Sequence, residues 1–332
     1  VSNEPSPEDK LIARFFKPLA THPGALGLSD DAAFFAPPPG HDVVLKTDAI
    51  LEGVHFLPGD PPEDVARKAL RVNLSDLAAK GAAPSGFLLS ISLPAKLDPD
   101  WLERFCAGLE RDARVYHCPL FGGDTDKTPG LLAIAIFAFG IVPSGRMVRR
   151  AGAKAGDIVA VSGQIGEGTL GLRLARDPSL AARWSLTDAE HAGLVGRYRV
   201  PQPRNALSAA LRDHASAAMD ISDGLAGDLA KLCRVSGVTA TVETGRVPFS
   251  SGASKALAAE PALLETLLSG GDDYEILCAI STDRWDAFAK AAQSSGVEVT
   301  AIGTFEAGRD APCMIGADGK ALAFARPSYS HF

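Results

Sequence analysis

Asp220, Asp223 and Asp228 crowd into "MDISDGLAGDL", beside glycine and at the head of a helical pattern. The grouping recurs along the chain. "SDDAA" (29–33) carries Asp30, and "KTDAILEGVHF" (46–56) carries Lys46, Thr47, Asp48 and His55. "NLSDLAAKG" carries Asp76, and "FGGDTD" (121–126) carries Gly123 and Asp124. Carboxylates and hydroxyls are hard oxygen donors. Mg2+ takes about six such ligands, keeps some waters and commonly shares substrate phosphates. Ions held in this way neutralise phosphate oxygens while a phosphoryl group moves. A turn explains any one of these aspartates as well, because Asp side chains bond nearby backbone N–H groups. Together the segments divide evenly between turn structure and a divalent-metal site. Asp76 fits the turn account least. It stands inside a helical pattern with apolar turns on both sides, where a carboxylate needs its charge compensated.

The glycines add a second chemistry. Gly122 and Gly123 precede Asp124, and Gly270 and Gly271 precede Asp272 and Asp273. Such doublets permit close backbone approach or positive φ, and their amides can cradle phosphate oxygens. A tight turn is the plainer reading of either doublet. No GxxxxGK[ST] occurs, and "GQIGEG" (163–168) has the wrong spacing for a dinucleotide fingerprint. Arg146, Arg149 and Arg150 stand between the two halves of the chain. One could clamp a phosphate through a bidentate contact; solvated loop charge is the alternative. His55 is the histidine most embedded among the acidic motifs, as a substrate contact or as a partner for a loop carbonyl. Neither HExxH nor GxSxG is present, so zinc peptidase and serine hydrolase chemistry lack support. The stretch 220–228 also reads as an N-capped helix. A cap and a phosphate site use the same free amides, so both readings can hold. Asp228 is assigned a supporting or helix-surface role.

The elements that must position these residues follow from periodicity. Helices are predicted over 7–20, 61–82 and 98–116, the last capped by Asp98. "DDAAFFAPPPGHDVVLKTDAI" reads as two strands joined by a Pro/Gly turn, and 85–94 and 131–142 as further strands. "CPLFGGDTDKTPG" reads as a strand end followed by a loop. The resulting β–β–α–β–α–β order implies a split, mixed sheet with helices on one face. A Gly-, Pro- and Arg-rich junction near 145–150 divides domains 1–148 and 149–332. The second domain begins with a strand over 157–162 and a glycine turn into a helix. Helices over 205–216 and in "DLAKLCRVSG" flank the aspartates. The strand "VTATVET", a helix–glycine turn–strand unit and a last helix–strand pair complete it.

The bulk numbers narrow the function classes. The chain has 332 residues, 46% of them hydrophobic and 22% charged, which is ample for two cores. A net charge of -7 with no basic patch argues against a nucleic-acid partner. The five cysteines are scattered and form no CxxC, as expected of reduced thiols in a cytoplasmic protein. The N-terminal "VSNEPSPEDK" lacks the features of a signal peptide. The most apolar run, 131–142, falls short of the ~20 residues of a membrane helix, so no membrane partner is expected.

As an ordered set, "SDDAAFF", "KTDAILEGVHF", "ARKALRVNLSDLAAKGAAPSGFLLSISLP", "GGDTDK", "GRMVRRAGAKAGD", "DISDGLAGDL" and "SGGDDYEIL" resemble the thiamine-monophosphate kinase family. That family lies within the aminoimidazole-ribonucleotide synthetase-like superfamily. The resemblance runs from about residue 9 to the final "HF". It implies an α+β, two-domain synthetase-like fold. The N-terminal mixed sheet would pair in a homodimer, and a C-terminal α/β domain would complete a nucleotide cleft. It implies ATP-dependent phosphorylation of thiamine monophosphate to thiamine diphosphate, by direct in-line transfer over several Mg2+ ions and without a protein general base. By the same resemblance Asp30, Thr47, Asp48, Asp76, Asp124, Asp220 and Asp223 are metal ligands. Gly123, Asp124, Arg150 and Ser222 meet ATP, and His55, Asp272 and Tyr329 meet the substrate. Two departures stand out. Lys46 replaces a small residue, usually serine, that also serves as a metal ligand. Asp272 replaces a glutamate and is one methylene shorter. The other readings are a related ATP-using synthetase or a non-catalytic nucleotide-binding protein. Aminoimidazole-ribonucleotide or selenophosphate formation would mark the former, though the N-terminal Cys or Lys-rich segment of selenophosphate synthesis is missing. Loss of the acidic ligands would mark the latter, and they are retained.

Overall fold

The computed structural model describes residues 6–95, 98–324 and 328. The chain divides into two compact units. The first comprises residues up to Leu77 and Ala83–Gly145; the second comprises Ala78–Ala82 and residues from Arg146 onward.

The first unit runs α1 (Pro7–Leu11), β1 (His41–Leu51), α2 (Pro62–Ala79), β2 (Ala83–Pro94), α3 (Pro99–Val115), β3 (Leu120–Thr128) and β4 (Ala133–Pro143). Its sheet has the order β1-β4-β2-β3, with β2 and β3 parallel and the other pairs antiparallel. This is the mixed sheet expected, but among the described residues only one strand precedes α2. Residues 32–38 form no strand, since the Phe34 N–H donates to the Gly24 carbonyl at 3.0 Å and Pro37–Pro39 offer no ladder donors. Helix α2 starts on Pro62 with Glu63 and Asp64 in its first turn, a favourable end for acids. Val65, Ala66, Ala69, Leu70, Leu74 and Leu77 make its buried stripe. In β1 the buried residues Val44 and Ile50 share one face, and Val43, Leu45 and Leu51 lie exposed on the other.

The second unit has a six-stranded sheet of order β10-β7-β9-β5-β8-β6. Its elements are β5 (Ile158–Ser162), α4 (Glu167–Arg176), α5 (Leu180–Arg183), α6 (Asp188–Arg199), α7 (Ser208–His214), β6 (Ala215–Ile221), α8 (Leu225–Ser236) and β7 (Val238–Glu243). They are followed by α9 (Ser251–Ala259), α10 (Leu263–Ser269), β8 (Glu275–Ile280), α11 (Trp285–Ser294), β9 (Val299–Ala307) and β10 (Cys313–Ile315). Strand alternation feeds two cores. Val159, Val161, Met219, Ile221 and Leu277 pack with Leu229 and Leu232 of α8. Ala160, Ala218, Ile276, Cys278 and Ile280 pack with Leu211 of α7 and Phe288 of α11. Both faces are covered, which explains why every residue of β8 is buried. Cys106, Cys118, Cys233 and Cys278 are buried, and burial pushes the Cys106, Cys118 and Cys278 thiols up to about 12 and Cys233 to about 11.

Candidate active site

Strand β1 sends its acidic-motif residues to opposite faces. Thr47 lies on the open face of the sheet and lines a cavity of about 760 Å3 with Asp30, Ser90, Gly123, Asp124 and Phe137. Asp124 comes from β3, where it stands opposite Ser90 of β2 in the parallel register. "FGGDTD" is therefore strand, not loop. Gly123 is required there by close approach, because a Cβ would overlap the Leu89 carbonyl oxygen of β2. Lys46 and Asp48 point the other way, toward α2. The Asp48 N–H donates to Asn73 Oδ1 at 2.8 Å, and the Lys46 ammonium lies 3.1 Å from Asp48 Oδ1 and 2.7 Å from Asp76 Oδ2. Burial alone would lower the Lys46 pKa. The Asp76 and Asp48 carboxylates more than reverse that and hold it above the usual value.

Asp30, Thr47 and Asp124 thus share one cavity, while Asp48 and Asp76 share a lysine. Among the described residues, no three His, Cys, Asp or Glu side chains converge as a set able to hold a metal ion. The donor chemistry nonetheless separates two cases. Asp30, Thr47 and Asp124 present hard oxygens to an open space, which suits a partly hydrated Mg2+ completed by phosphate oxygens. The Asp48–Asp76 pair already has a cation between its carboxylates and does not fit a divalent ion in that arrangement. His55 sits in the turn after β1. Its Nδ1 accepts from the Leu51 N–H at 3.0 Å, and its carbonyl accepts from Lys68 Nζ at 2.8 Å.

In the second unit the aspartate stretch leaves β6 at its end. Asp220 is buried within that strand, opposite Ile276. Asp228 lies in the first turn of α8, fully buried, and Oδ2 accepts from the Ser222 N–H at 3.0 Å and the Asp223 N–H at 2.9 Å. Its other oxygen is 2.8 Å from the Lys231 ammonium, which also holds Asp223. Asp228 is thus a clamp on the loop and not a helix-surface residue. Asp228→Asn keeps one acceptor but loses the ion pair, so we expect a loss of about 1–2 kcal/mol in urea-unfolding stability.

The SGGDDYE segment packs against the same loop. The Asp272 N–H donates to the Ser222 carbonyl at 3.0 Å and the Tyr274 N–H to the Ile221 carbonyl at 2.8 Å. Gly271 is needed for this approach, since a Cβ would overlap Ser222 O. Asp272 and Tyr274 both adopt left-handed φ, 70° and 52°, an unfavourable setting for residues with a Cβ. Between them Asp273 is buried and accepts from the Gly166 and Gly168 amides, at 2.8 and 3.1 Å, at the start of α4. Burial drives its carboxyl well above the usual range, against the pull of those amides. Arg150 lies in an exposed bend after β4. The Arg149 carbonyl ties this segment to β6 by accepting from the Ala218 N–H at 3.0 Å. Arg146 pairs with Asp213 at 3.0 Å and is loop charge. Tyr329 lies outside the described residues.

Lys231 and the carboxylate knot around Glu275 were missed at the level of sequence. Lys231 follows Asp228 at helical i, i+3 spacing, a signal that could have found it. Glu275 has no such local signal. It is fully buried and accepts from Arg204 Nε at 2.6 Å, Arg197 Nη2 at 3.0 Å and Ser162 Oγ at 2.6 Å, from elements far away in the chain.

Comparison with known proteins adds what geometry alone does not. The family model for AIR synthase related protein, N-terminal domain, matches residues 29–142, and that for the C-terminal domain matches residues 154–313. The thiamine-monophosphate kinase of Caulobacter vibrioides is 43% identical over 309 residues, covering 92% of this chain and 85% of that protein. The chain belongs to the thiamine-monophosphate kinase family. Members of this family are phosphotransferases, and so is this enzyme. The fold agrees. The crystal structure of thiamine-monophosphate kinase from Stenotrophomonas maltophilia K279a superposes with a TM-score of 0.81 at 34% identity, over 95% of this chain and 96% of that one. A structure described as AaThiL complexed with AMPPCP and TMP superposes with a TM-score of 0.76 at 32% identity, over 91% of each chain. Among the described residues no helix is long and apolar enough to cross a membrane.

Proposed function

We propose that the protein transfers the γ-phosphoryl group of ATP to the phosphate of thiamine monophosphate, giving thiamine diphosphate and ADP. This would be the final step of thiamine diphosphate formation, in the cytoplasm. The observation that carries the reading is the relative of like fold bound to AMPPCP and TMP. The retention of Asp30, Thr47, Gly123 and Asp124 around one cavity supports it. A substrate phosphate oxygen is the nucleophile. It bonds to the γ-phosphorus as the bond to the β–γ bridging oxygen breaks in line, and ADP leaves with that electron pair. The oxygen is already ionised at neutral pH, so positioning and charge neutralisation are the whole task and His55 is not needed as a base. Asp30, Thr47 and Asp124, together with Asp220, are the residues that would hold Mg2+, whose charge neutralises phosphate oxygens when bound; one Asp223 oxygen is already held by the Lys231 ammonium, which leaves only its other oxygen for such an ion. Gly123, Arg150 and Ser222 bind the nucleotide, and His55 and Asp272 meet the substrate. The test is a chromatographic product assay with purified protein, ATP, Mg2+ and thiamine monophosphate. Thiamine diphosphate and ADP should form in equal amounts, with no product from unphosphorylated thiamine. A folded, ATP-binding protein that makes no diphosphate would overturn the reading.

We also propose a homodimer formed through the first unit. The open sheet face exposes Leu45 at 61%, Leu51 at 41%, Val43 at 38% and Leu88 at 37%, a run of apolar surface that a second copy would cover. Light scattering should give twice the chain mass for the wild type and the single mass for Leu45→Asp. A monomeric wild type at micromolar concentration would sink the idea.

A further inference from the structure

The first unit handles its acidic residues in two ways. The cavity face holds Asp30, Thr47 and Asp124, and no lysine or arginine is among the described residues that line it. The opposite face holds Asp48 and Asp76 with the Lys46 ammonium between them, at 3.1 and 2.7 Å. Lys46 is two residues from Asp48 on one strand, so both project from the same side of β1. Its side chain is 28% exposed, and that of Asp76 18%. The Asp48 backbone is pinned to α2 through Asn73, and Asp76 belongs to α2 itself. The frame that brings the two carboxylates together is therefore built with the lysine inside it. A divalent ion bound at about 2.1 Å from the same oxygens would sit against the ammonium and be repelled by it. The two cations exclude one another there. The lysine is tethered, so it loses no translational freedom on binding, whereas Mg2+ gives up its waters reluctantly.

We propose that Lys46 is a built-in cation that stands permanently in place of one divalent ion between Asp48 and Asp76. The inference rests on the metal-assisted reading above and deepens it. Within the first unit, divalent ions bind on the cavity face, and the α2 face is charge-compensated without them. Lys46 is a positioning residue: it holds Asp48 and Asp76 and touches no reacting atom.

The first test counts Mn2+ by equilibrium dialysis against the intact protein with AMPPCP. Lys46→Ser should bind one more ion per chain than the wild type and gain more thermal stability from Mn2+. Lys46→Arg should bind the wild-type number. Equal counts for Lys46→Ser and the wild type would overturn the proposal. Should Lys46→Ser fold only when Mn2+ is present, that too supports it, because the ion then replaces the lost ammonium. A second test uses the wild type alone and holds whether or not the variant folds. Acetic anhydride labelling read by mass spectrometry should leave Lys46 as protected with Mn2+ and AMPPCP as without them. If Mn2+ raises its labelling toward that of the exposed Lys320, the metal displaces the lysine and the proposal fails. A wild type that makes thiamine diphosphate but fails either test loses only this inference. A wild type that makes none loses the functional reading.

Discussion

Glu275→Ala should be the most destabilising single change in the second unit, by about 3–5 kcal/mol, read as a lowered urea midpoint. Deleting this carboxylate leaves the Arg204 and Arg197 guanidiniums facing each other with their shared partner gone. It also removes the acceptor of Ser162 Oγ, a hydroxyl that itself accepts from the Ile276 N–H at 2.8 Å. Breaking one side of a buried ionic network costs far more than the network contributes when whole. The damage should also reach the site. Glu275 follows Asp272, Asp273 and Tyr274 directly and pairs with Ile221 at the end of β6, so the substrate segment and the aspartate loop loosen together. Glu275→Gln should lose less, because it keeps one acceptor. The Arg14–Glu103 pair, with side chains 67% and 65% exposed, is the control: removing it should produce no measurable change. A Glu275→Ala midpoint equal to that of the surface control would refute the account.

Gly123→Ala should lower kcat/KM on the order of a hundredfold, mainly through ATP. The added methyl would overlap Leu89 O, and the carbonyl carbon and nitrogen of the same residue are also close. β2 and β3 would have to separate, moving Asp124 and its neighbours on the cavity wall. Overpacking of this kind also costs about 1–3 kcal/mol. The adjacent glycine makes the comparison sharp. A methyl at Gly122 would meet only the Leu88 side chain, at 3.5 Å, an ordinary contact. Gly122→Ala should therefore stay near wild type in both Tm and KM for ATP. Equal losses at the two positions would point to a general intolerance of this strand and not to close approach at Gly123.

The sequence revealed the parts whose signals are local. Helix α2 announced itself through Pro62, its acidic first turn and its apolar stripe, and α8 through the glycine that ends it, Gly237, which takes φ 71°. The mixed sheet and the second unit's alternation of helix and strand followed from periodicity. The strand expected before the Pro/Gly turn did not form. The apolar run "AAFFA" before a Pro/Gly turn is a side-chain signal, and the backbone bond from Phe34 to Gly24 that replaces the ladder has no local signature. Gly122–Asp124 read as loop because glycine lowers strand propensity; only the Leu89 backbone, brought alongside by a parallel pairing, makes Gly123 necessary in a strand. At the site the motifs identified the right residue types. They could not show that Thr47 and Asp48 face apart relative to the cavity and α2, or that a lysine would lie between Asp48 and Asp76. Those facts depend on register and on which sheet face α2 covers.

The distribution of thiols has a practical side. Four of the five cysteines are buried, and with pKa values near 11 or 12 they carry almost no thiolate at neutral pH. Cys313, on the short strand β10, is only half-covered. A maleimide dye added to the folded enzyme should therefore attach at one position, without prior mutagenesis. Mild peroxide should spare the interior thiols for as long as the fold holds, which would make dye uptake beyond one equivalent a direct gauge of unfolding.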